Sequence, residues 1–406
     1  MHNVRQIAQD TWYIGVNDNS TSRFENLHPL PEGVTYNSYM ILDEKTCLLD
    51  TVDWGFAEQF IENIEHLLGD RDLDYVIVNH MEPDHAGALG EIMYRYPKAH
   101  FVMTAKAVDF ARNFGFPIDD VEYTAVKEGD TLELGKHTLT FVEAPMVHWP
   151  EVMVTYDTLT KVLFSADAFG TFGLLDGRLF DDELDFEKEF MDHARRYFCN
   201  IVGKYGKPTM NVLAKAATLD IQMIAPLHGP VWRKNLGTLI EKYKKWATYT
   251  PEEKGVLIVY GSMYGHTEEV AYLMASLLVQ RGITNIKVYD ASKTHLSYII
   301  ADAFRLSHMV FTSVTYNMTL YPTVNHVLED MKMLNLQNRT VAIIENGSWA
   351  SRAGKLMLDQ FNSMKNMNVL NPESLSFTSS LDEEKRPELI KLADQIAEHY
   401  NSYELD

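Results

Sequence analysis

The heptapeptide NHMEPDH at residues 79–85 follows directly after a largely apolar run at residues 73–78. An apolar run of this length indicates a buried strand. Side chains that follow a strand lie at the carboxyl edge of its sheet, where binding sites commonly form. The heptapeptide contains two histidines, a glutamate and an aspartate, and all of these side chains can bind metal ions. The sequence therefore predicts a metal site at one edge of a sheet.

Three further apolar runs, at residues 141–147, 162–164 and 221–227, each lead toward another side chain that can bind a metal. Taken alone, a histidine after a strand is more often a loop or core residue than a ligand. Several strand ends that carry such side chains favour a shared site. The candidate ligands offer four imidazoles and three carboxylates, enough for two metal ions: His80, Glu82, Asp84, His85, His148, Asp167 and His228.

The types of ligand narrow the choice of metal. Imidazoles mixed with carboxylates suit iron, manganese or zinc, whereas structural zinc sites favour thiolates. Cys47 and Cys199 are the only cysteines in the sequence, so a thiolate cluster is excluded. Three ionised carboxylates and a bridging hydroxide would neutralise two divalent ions, which lowers the cost of burying them. Redox or hydrolytic metal chemistry is the leading hypothesis from these residues.

Composition and charge exclude several classes of protein. The chain has 406 residues, enough for two or three domains. Its net charge of -21 and pI near 5.1 argue against nucleic acid and anionic membranes as partners. The N-terminus has no apolar core of a signal peptide, and no stretch is long enough to span a membrane. Two cysteines in a chain of this length indicate a reducing compartment, so we expect a cytoplasmic protein.

A charged segment that contains proline, YTPEEKG at residues 249–255, divides the chain. Residues 1–249 show many short strands with interspersed helices, which predicts a mixed α/β domain. Residues 255–406 alternate more regularly, with strands expected at 256–260, 286–290, 309–312 and 341–345 and helices at 268–280 and 383–400. This alternation predicts a doubly wound parallel sheet.

The second domain opens with GSMYGHT at residues 261–267, between a predicted strand and a predicted helix. Backbone amides of such a loop bind phosphate at the helix N-terminus. The Walker lysine and the Rossmann glycine spacing are absent, so a phosphomonoester such as that of FMN fits better than a triphosphate or a dinucleotide.

Two later strand ends, at residues 312–317 and 346–350, could flank a flat ring. Each loop alone is more often an ordinary turn, but three loops at one sheet edge favour a flavin. The candidate flavin-binding residues are Ser262, Met263, Tyr264, Gly265, His266, Thr267, Ser313, Thr315, Tyr316, Asn317, Gly347, Ser348, Trp349 and Ala350.

Taken with these sites, the chain resembles the flavodiiron proteins over essentially its whole length. The motifs that carry the resemblance are TYNSY at 35–39, DHAGA at 84–88, HWP at 148–150 and YGSM at 260–263. The resemblance implies a metallo-β-lactamase-like αββα sandwich with a non-haem diiron centre, followed by a flavodoxin-like domain with FMN. Glu82 is the strongest discriminator, because hydrolytic relatives of this fold, which typically hold two zinc ions, have histidine there, whereas a carboxylate suits iron.

By resemblance, His80, Glu82 and His148 bind the iron nearer the flavin. Asp84 and His228 bind the other iron, and Asp167 bridges the pair together with a hydroxide or oxo group. His85 is a ligand in some members and is displaced by water in others. Tyr197 matches a tyrosine that lines the substrate pocket, although an ordinary aromatic residue on a helix face is an equally good interpretation.

Two segments depart from the pattern of the family. The second flavin loop has Ser-Val-Thr at residues 313–315 where the family often has Ser-Pro-Thr. Residues 24–26 are Phe-Glu-Asn where many members have Phe-His-Gly. We expect this second segment near the substrate pocket, so the loss of an imidazole leaves open the preference between dioxygen and nitric oxide.

The resemblance implies reduction of dioxygen to water, of nitric oxide to nitrous oxide, or of both, in a detoxifying role. A hydrolase with an accessory flavin domain is the main alternative, and a flavin electron carrier with a vestigial metal domain is a weaker one. Two cysteines cannot form a rubredoxin-type site, so electrons should come from a separate donor, rubredoxin first and a deazaflavin second. A head-to-tail homodimer, or a dimer of such dimers, is expected because the short linker would keep one sheet edge from folding onto the other.

Overall fold

The computed structural model describes residues 2–405, which form two compact units. The first unit contains the chain up to Phe198 together with Lys207–Tyr243. The second contains Cys199–Gly206 together with the chain from Lys244 onward. The independent domains expected at 1–249 and 255–406 remain a prediction.

The first unit is built on two sheets. The larger has seven strands, in the spatial order Arg5–Ala8, Thr11–Tyr13, Tyr39–Leu42, Thr46–Leu49, Tyr75–Ile77, His100–Thr104 and Tyr123–Val126. The smaller has five, in the order Thr131–Glu133, Thr138–Glu143, Met153–Asp157, Val162–Phe164 and Met223–Ala225. Two short hairpin-like pairs join Val16–Asp18 with Val34–Tyr36 and Arg23–Phe24 with His28–Pro29. Both main sheets mix antiparallel and parallel pairs, as the pattern of short strands predicts.

Helices separate these strands along the chain. The α-helices within the first unit are Ala57–Leu68, Pro83–Ala86, Leu89–Arg95, Ala105–Asn113, Phe186–Glu189 and Met191–Tyr197. Two more helices, Gly206–Ala216 and Leu236–Ala247, cross its boundary. The Ala57–Leu68 helix buries Phe60, Ile61, Ile64 and Leu68, which recur at the spacing of one helix face. This helix ends at Gly69, whose φ of 55° is accessible to glycine at little cost.

The second unit has one main sheet. Its parallel strands lie in the order Ile286–Asp290, Glu253–Gly261, Leu306–Tyr316, Thr340–Asn346 and Asn368–Val369. Leu375–Phe377 also pairs in parallel with Thr340–Asn346, and Thr319–Leu320 pairs antiparallel with Leu306–Tyr316. The helices are His266–Val279, Leu296–Arg305, Pro322–Met333, Ala353–Asn362 and Arg386–Ser402. The predicted doubly wound parallel sheet is therefore confirmed.

The register of the second sheet aligns the predicted flavin loops. Tyr260 lies beside Thr312, and Thr312 lies beside Ile344, so the three strands reach the same edge together. One segment differs from the sequence prediction. Residues 313–316, predicted as a loop, continue the Leu306–Tyr316 strand, because Thr315 and Tyr316 pair with Leu320 and Thr319 in a hairpin. The local sequence pattern cannot show that the end of this strand pairs with a further strand, Thr319–Leu320.

The core of the second unit joins helices to the sheet. Val270, Ala271 and Met274 of one helix and Leu392 and Ile396 of the last helix belong to one buried cluster with Val256 and Ile258 of the sheet. Near-continuous apolar strands are typical of parallel sheets that are covered on both faces. Among the described residues, no helix is both long enough and apolar enough to cross a membrane.

Candidate metal centre and flavin loops

The segment at residues 79–85 leaves the Tyr75–Ile77 strand and enters the short helix Pro83–Ala86. Asp50, which is buried, fixes the start of this segment. Its carboxylate accepts hydrogen bonds from the Asn79 backbone and side-chain amides, both at 2.7 Å, and from the His80 amide at 3.2 Å. The Thr155 hydroxyl donates to Asn79 Oδ1 at 2.7 Å. The candidate ligands that follow are therefore held by a buried network that the sequence did not reveal.

The structure brings all seven predicted metal ligands together in two groups. We call the first the His80 group: His80, Glu82, His148 and Asp167. We call the second the His228 group: Asp84, His85 and His228. Within each group the ligand atoms lie within 4.8 Å of one another. All of these side chains are buried except Asp84, which is partly buried.

Asp167 faces both groups. Its Oδ2 lies 3.1 Å from His148 Nε2 and 3.4 Å from His80 Nε2. Its Oδ1 lies 3.1 Å from His85 Nε2 and 3.6 Å from His228 Nε2. One carboxylate thus presents one oxygen to each group, which is the arrangement that a bridging ligand requires.

Two imidazoles are oriented by groups behind them. His80 Nδ1 lies 2.7 Å from Glu151 Oε1. His228 Nδ1 lies 2.6 Å from the backbone carbonyl of Thr35, to which it can only donate. Each contact turns the Nε2 atom of the ring toward the other candidate ligands. Thr35 lies in one of the motifs named from the sequence, but the sequence did not indicate a role for Glu151, which directly follows the HWP motif.

The charges of the site suit a bound cation. Burial disfavours the charged form of His148, but hydrogen bonds with Asp167 and Glu82 outweigh it and raise its pKa to about 9. Burial also raises the pKa of Glu82, but hydrogen bonds from His148 and His80 leave that pKa below its usual range. The anionic ligands thus make this a site that favours positive charge.

The unsatisfied atoms lead to the same conclusion. Both oxygens of Asp84 are shielded from solvent and make no hydrogen bond within the described residues. The Nε2 atoms of His85 and His228 lie 3.0 Å apart. Buried lone pairs of this kind are costly unless a proton or a metal lies between them. The nitrogen and oxygen donors, with no sulfur among them, fit two ions of iron, manganese or zinc.

A cavity of about 440 Å³ opens beside the candidate ligands. Its lining includes Phe24, Glu25, Glu82 and Asp84. The Phe24 ring lies 5.3 Å from the His228 ring. The segment at residues 24–26 therefore borders the candidate metal centre, as the sequence predicted. Partial desolvation in this cavity and then the charge of Glu82 raise the pKa of Glu25 to about 7.

Tyr197 ends the Met191–Tyr197 helix and is fully buried. Its ring lies 5.2 Å from Phe172, 6.0 Å from Phe24 and 5.4 Å from His228. Burial, reinforced by the charges of Asp167 and other nearby carboxylates, raises the pKa of Tyr197, so its hydroxyl stays protonated. That hydroxyl has no hydrogen-bond partner within the described residues, which leaves it free to donate to a bound molecule.

The predicted phosphate loop adopts the shape that anion binding requires. Gly265 precedes the His266–Val279 helix with a φ of 98°, and its amide donates to Ser262 Oγ at 3.1 Å. A cavity of about 260 Å³ lies above this loop. It is lined by Ser262, Met263, Tyr264, His266, Thr267, Val314, Asn346, Ser348 and Ser379. Residues of all three predicted loops thus share one cavity.

The second predicted loop is used differently from the other two. The Ser313 hydroxyl donates to the Val314 carbonyl, and Thr315 Oγ1 accepts the amides of Arg352 and Ala353 near the start of a helix. Tyr316 is partly exposed, and Asn317 forms the hairpin turn with a φ of 47°. The hydroxyl groups of Ser313 and Thr315 are thus engaged within the protein, and Val314 is the residue of this segment that lines the flavin cavity.

The third loop is tight and exposed. A Cβ atom added at Gly347 would lie 2.2 Å from the carbonyl oxygen of Ala350, so the turn has no room for a larger residue there. Trp349 is 87% exposed and Tyr264 of the first loop is 88% exposed. Both aromatic rings are available to pack on a flat ligand or on another protein.

Three residues of the flavin cavity, Val314, Asn346 and Ser379, are not among the predicted binding residues, although Val314 and Asn346 lie in loops that the sequence singled out. The Asn346 side-chain amide donates to the Ser379 carbonyl at 2.9 Å and to Thr267 Oγ1 at 3.3 Å, and the Ser379 hydroxyl contacts that of Ser348 at 2.9 Å. Asn346 Oδ1 is buried without a hydrogen-bond partner in the described part of the chain. Ser379 follows the Leu375–Phe377 strand, so the strand-end rule could have found it. The polar cavity at the predicted phosphate loop and the unsatisfied oxygen fit FMN.

Comparisons with known proteins agree with this architecture. A family model described as "ODP family beta lactamase" matches residues 34–229. The chain is 34% identical over 361 residues to the anaerobic nitric oxide reductase flavorubredoxin of Salmonella arizonae, covering 87% of this chain and 72% of the relative. It is 33% identical over 356 residues to the protein of the same name from Escherichia coli O1:K1 / APEC, with the same coverage.

Solved structures match over nearly the full length. The flavodiiron protein from Giardia intestinalis superposes with a TM-score of 0.93 at 26% identity, covering 99% of this chain and 98% of that one. Rubredoxin oxygen:oxidoreductase from Desulfovibrio gigas superposes with a TM-score of 0.91 at 27% identity, covering 98% and 99%. The predicted fold class, a metallo-β-lactamase-like unit followed by a flavodoxin-like one, is confirmed. The chain belongs to the flavodiiron protein family, which uses FMN and a diiron site.

Proposed function

We propose that this protein is an oxidoreductase that reduces dioxygen to water, nitric oxide to nitrous oxide, or both, at a diiron centre that receives electrons through FMN. The observation that carries the proposal is Asp167, whose two oxygens face two separate groups of ligands. Glu82 in the first group supplies a hard carboxylate where dizinc hydrolases of this fold have histidine. Relatives named nitric oxide reductase and oxygen oxidoreductase support the same chemistry.

In this proposal each group holds one iron. The His80 group would hold the first ion, the His228 group would hold the second, and Asp167 would be shared between them. His85 belongs among the ligands, because its Nε2 lies 3.1 Å from Asp167 Oδ1 and 3.0 Å from His228 Nε2. A histidine displaced by water would turn that nitrogen away from the centre.

When bound, the two irons and the flavin can together supply four electrons. Reduction of one dioxygen to two waters consumes four electrons and four protons. Reduction of two nitric oxide molecules to one nitrous oxide and one water consumes two electrons and two protons. The electron capacity therefore matches either gas without release of a partly reduced product.

The side chains around the centre control what reaches it. Phe24, Phe172 and Tyr197 form an aromatic wall beside His228 and exclude water from that side. The Tyr197 hydroxyl is the one group of this wall that can donate a hydrogen bond, and we assign it to the small molecule bound there. Glu25 lines the cavity next to this wall and can hold a proton near neutral pH.

The flavin would bind in the cavity of the second unit. Backbone amides at residues 262–267 and the helix N-terminus would hold its phosphate, and Tyr264 and Trp349 would contact its ring. The donor of electrons would be a separate protein such as rubredoxin, or a reduced deazaflavin, in a reducing cytoplasm. The low cysteine count supports both statements, because Cys47 and Cys199 cannot form a four-thiolate site and free buried cysteines are typical of a reducing compartment.

We further propose a head-to-tail homodimer, alone or paired into a dimer of dimers, in which each flavin serves the metal centre of the partner subunit. Exposed apolar side chains at the flavin loops, Met263, Tyr264 and Trp349, support burial of this surface in an assembly. Heterodimers of a His148→Ala chain and a Gly265→Val chain test this assembly. One working flavin-to-iron pair should return in verified heterodimers, and its absence would favour transfer within one chain.

The function is tested by reducing the purified protein without oxygen and then adding dioxygen or nitric oxide separately. We expect about two irons per chain by elemental analysis and rapid reoxidation of the flavin by at least one gas. Stoichiometric zinc, with hydrolase turnover and no reaction with either gas, would refute the proposal. Glu82→His is the matched variant and should shift the preference of the site toward zinc.

A further inference from the structure

Glu151 lies directly behind His80, opposite the other ligands of the His80 group. Its Oε1 lies 2.7 Å from His80 Nδ1 and also accepts the Met81 amide at 3.0 Å. Both side chains of the pair are fully buried. Within the described residues no lysine or arginine pairs with Glu151, and His80 is the ionisable side chain that contacts it. A buried carboxylate without a cation is strongly unfavourable.

The contact decides which nitrogen of His80 faces the centre. His80 Nε2 lies 3.3 Å from Glu82 Oε2 and 3.4 Å from Asp167 Oδ2. This nitrogen offers its lone pair to a metal only when the ring proton is on Nδ1, and Glu151 accepts the hydrogen bond of that proton. Glu151 therefore selects the ligating tautomer.

The two groups differ in the strength of this support. His80 is backed by a carboxylate, whereas His228 is backed by the neutral carbonyl of Thr35 at 2.6 Å. A carboxylate makes an imidazole a more basic ligand than a carbonyl does. His85 has no partner for its Nδ1 among the described residues. The imidazoles of the two groups should therefore differ in basicity as metal ligands.

We propose that Glu151 is a positioning residue that holds His80 in its ligating tautomer and makes the His80 group the tighter of the two metal positions. The inference rests on the proposed two-metal centre and deepens it. In turn, a divalent ion bound to His80 provides the charge that Glu151 lacks in its buried position. Occupancy of the His80 group and the stability of the first unit are thereby coupled.

Titration of the full chain with Co²⁺ tests this proposal. Metals are removed, Co²⁺ is added without oxygen, and the ligand-field absorption is followed in wild type, Glu151→Gln and Glu151→Leu. Asp157→Asn is the matched control, because Asp157 forms a second buried pair with His137 at 2.8 Å in the same unit and belongs to neither metal group. This control reports the cost of losing a buried carboxylate alone.

We expect two binding phases in wild type. Glu151→Leu should weaken the tighter phase about 10–100-fold and change its absorption spectrum. Glu151→Gln keeps an oxygen that can accept from His80 and should weaken the same phase by a smaller factor, about 3–10-fold, which is below that range. Asp157→Asn should lower stability and leave both phases unchanged.

The outcomes separate this inference from the proposed function. If folded Glu151→Gln protein has the same binding isotherm and spectrum as wild type in both phases, the proposed role of Glu151 is overturned. This holds even if Glu151→Leu does not fold. Weakening of only the looser phase would overturn the assignment of Glu151 to the tighter position. Binding of fewer than two ions by wild type would instead overturn the proposed diiron centre, and the present inference with it.

Discussion

The candidate metal centre and the flavin loops are built on opposite principles. Side chains at the metal centre are buried and held by other side chains, with His80, His85 and Asp167 at 0% exposure. The flavin loops lie at the surface, with Tyr264 at 88% and Trp349 at 87% exposure. A buried site of charged groups is part of the core and depends on its ions for charge balance. A surface site made of backbone amides can be empty at little cost.

The largest expected effect is the loss of the group shared by the two metal positions. Asp167→Asn keeps the shape of the side chain and removes the charge that faces both groups. We expect iron content to fall below half of the wild-type value and gas-driven flavin reoxidation to slow by at least about 100-fold. Elemental analysis and stopped-flow absorption measure the two quantities.

Asp157→Asn is the control for this variant, since it removes another buried carboxylate of the first unit. It should retain iron and gas reduction. Normal iron content in Asp167→Asn would show that Asp167 is not a bridging ligand, and the contrast between a buried metal core and a surface flavin site would then lose its main support.

The second-largest effect should come from a change in the phosphate loop and should alter FMN binding without altering iron content. Gly265 has a φ of 98°, which valine adopts only with a strain of about 1–3 kcal/mol. Gly265→Val should distort the phosphate loop and weaken FMN binding at least about 10-fold, at 1.4 kcal/mol per factor of ten. Iron content should stay at the wild-type level. Fluorescence titration of the flavin-free protein and elemental analysis test both parts.

Gly282→Val controls for backbone strain in this experiment. Gly282 also has a positive φ, 84°, and open space around its Cβ position, but it lies outside the flavin loops. It should lose stability without losing FMN. Equal loss of FMN in both variants would mean that general destabilisation, rather than the shape of the phosphate loop, explains the effect.

Removal of the metals and removal of FMN should lower the thermal stability of the chain by different amounts. At a ligand concentration of 1,000 times Kd, binding stabilises the folded state by about 4 kcal/mol. For a unit of this size that corresponds to a Tm shift of about 10 °C. We expect calorimetry of the full chain to show a Tm decrease of this size when metals are chelated and a smaller Tm decrease when FMN is removed. A larger loss on FMN removal would reverse the comparison.

The smallest effects should come from the exposed aromatic rings. Tyr264→Ala and Trp349→Ala should change the free energy of unfolding by no more than about 0.5 kcal/mol, because exposed side chains contribute little to stability. FMN affinity should fall by only a fewfold, while iron content stays unchanged. Denaturant unfolding and flavin titration measure these changes. A loss of several kcal/mol would show that these rings belong to a packed interface within the chain.

The sequence predicted the metal centre more completely than it predicted the flavin site. Asp167 and His228 each follow a short buried strand, and His148 follows the partly buried strand Thr138–Glu143. Strand ends at one sheet edge meet in space. That local rule selected the seven side chains that the structure brings into two groups, and their role as ligands stays a prediction. In the second unit the same rule located the loops but misjudged residues 313–316, which extend a strand because Thr319 and Leu320 supply a partner.

The sequence by itself determined which chemistry this chain can hold, because residue type and strand position are local properties. Only the tertiary structure decided how that chemistry is tuned. Glu151 reaches His80 across 71 positions, and Thr35 reaches His228 across 193. Asp50 and Asn346 likewise act on partners that are distant in sequence. Such contacts depend on the packing of whole sheets and loops, and no short pattern records which carboxylate will lie behind which imidazole.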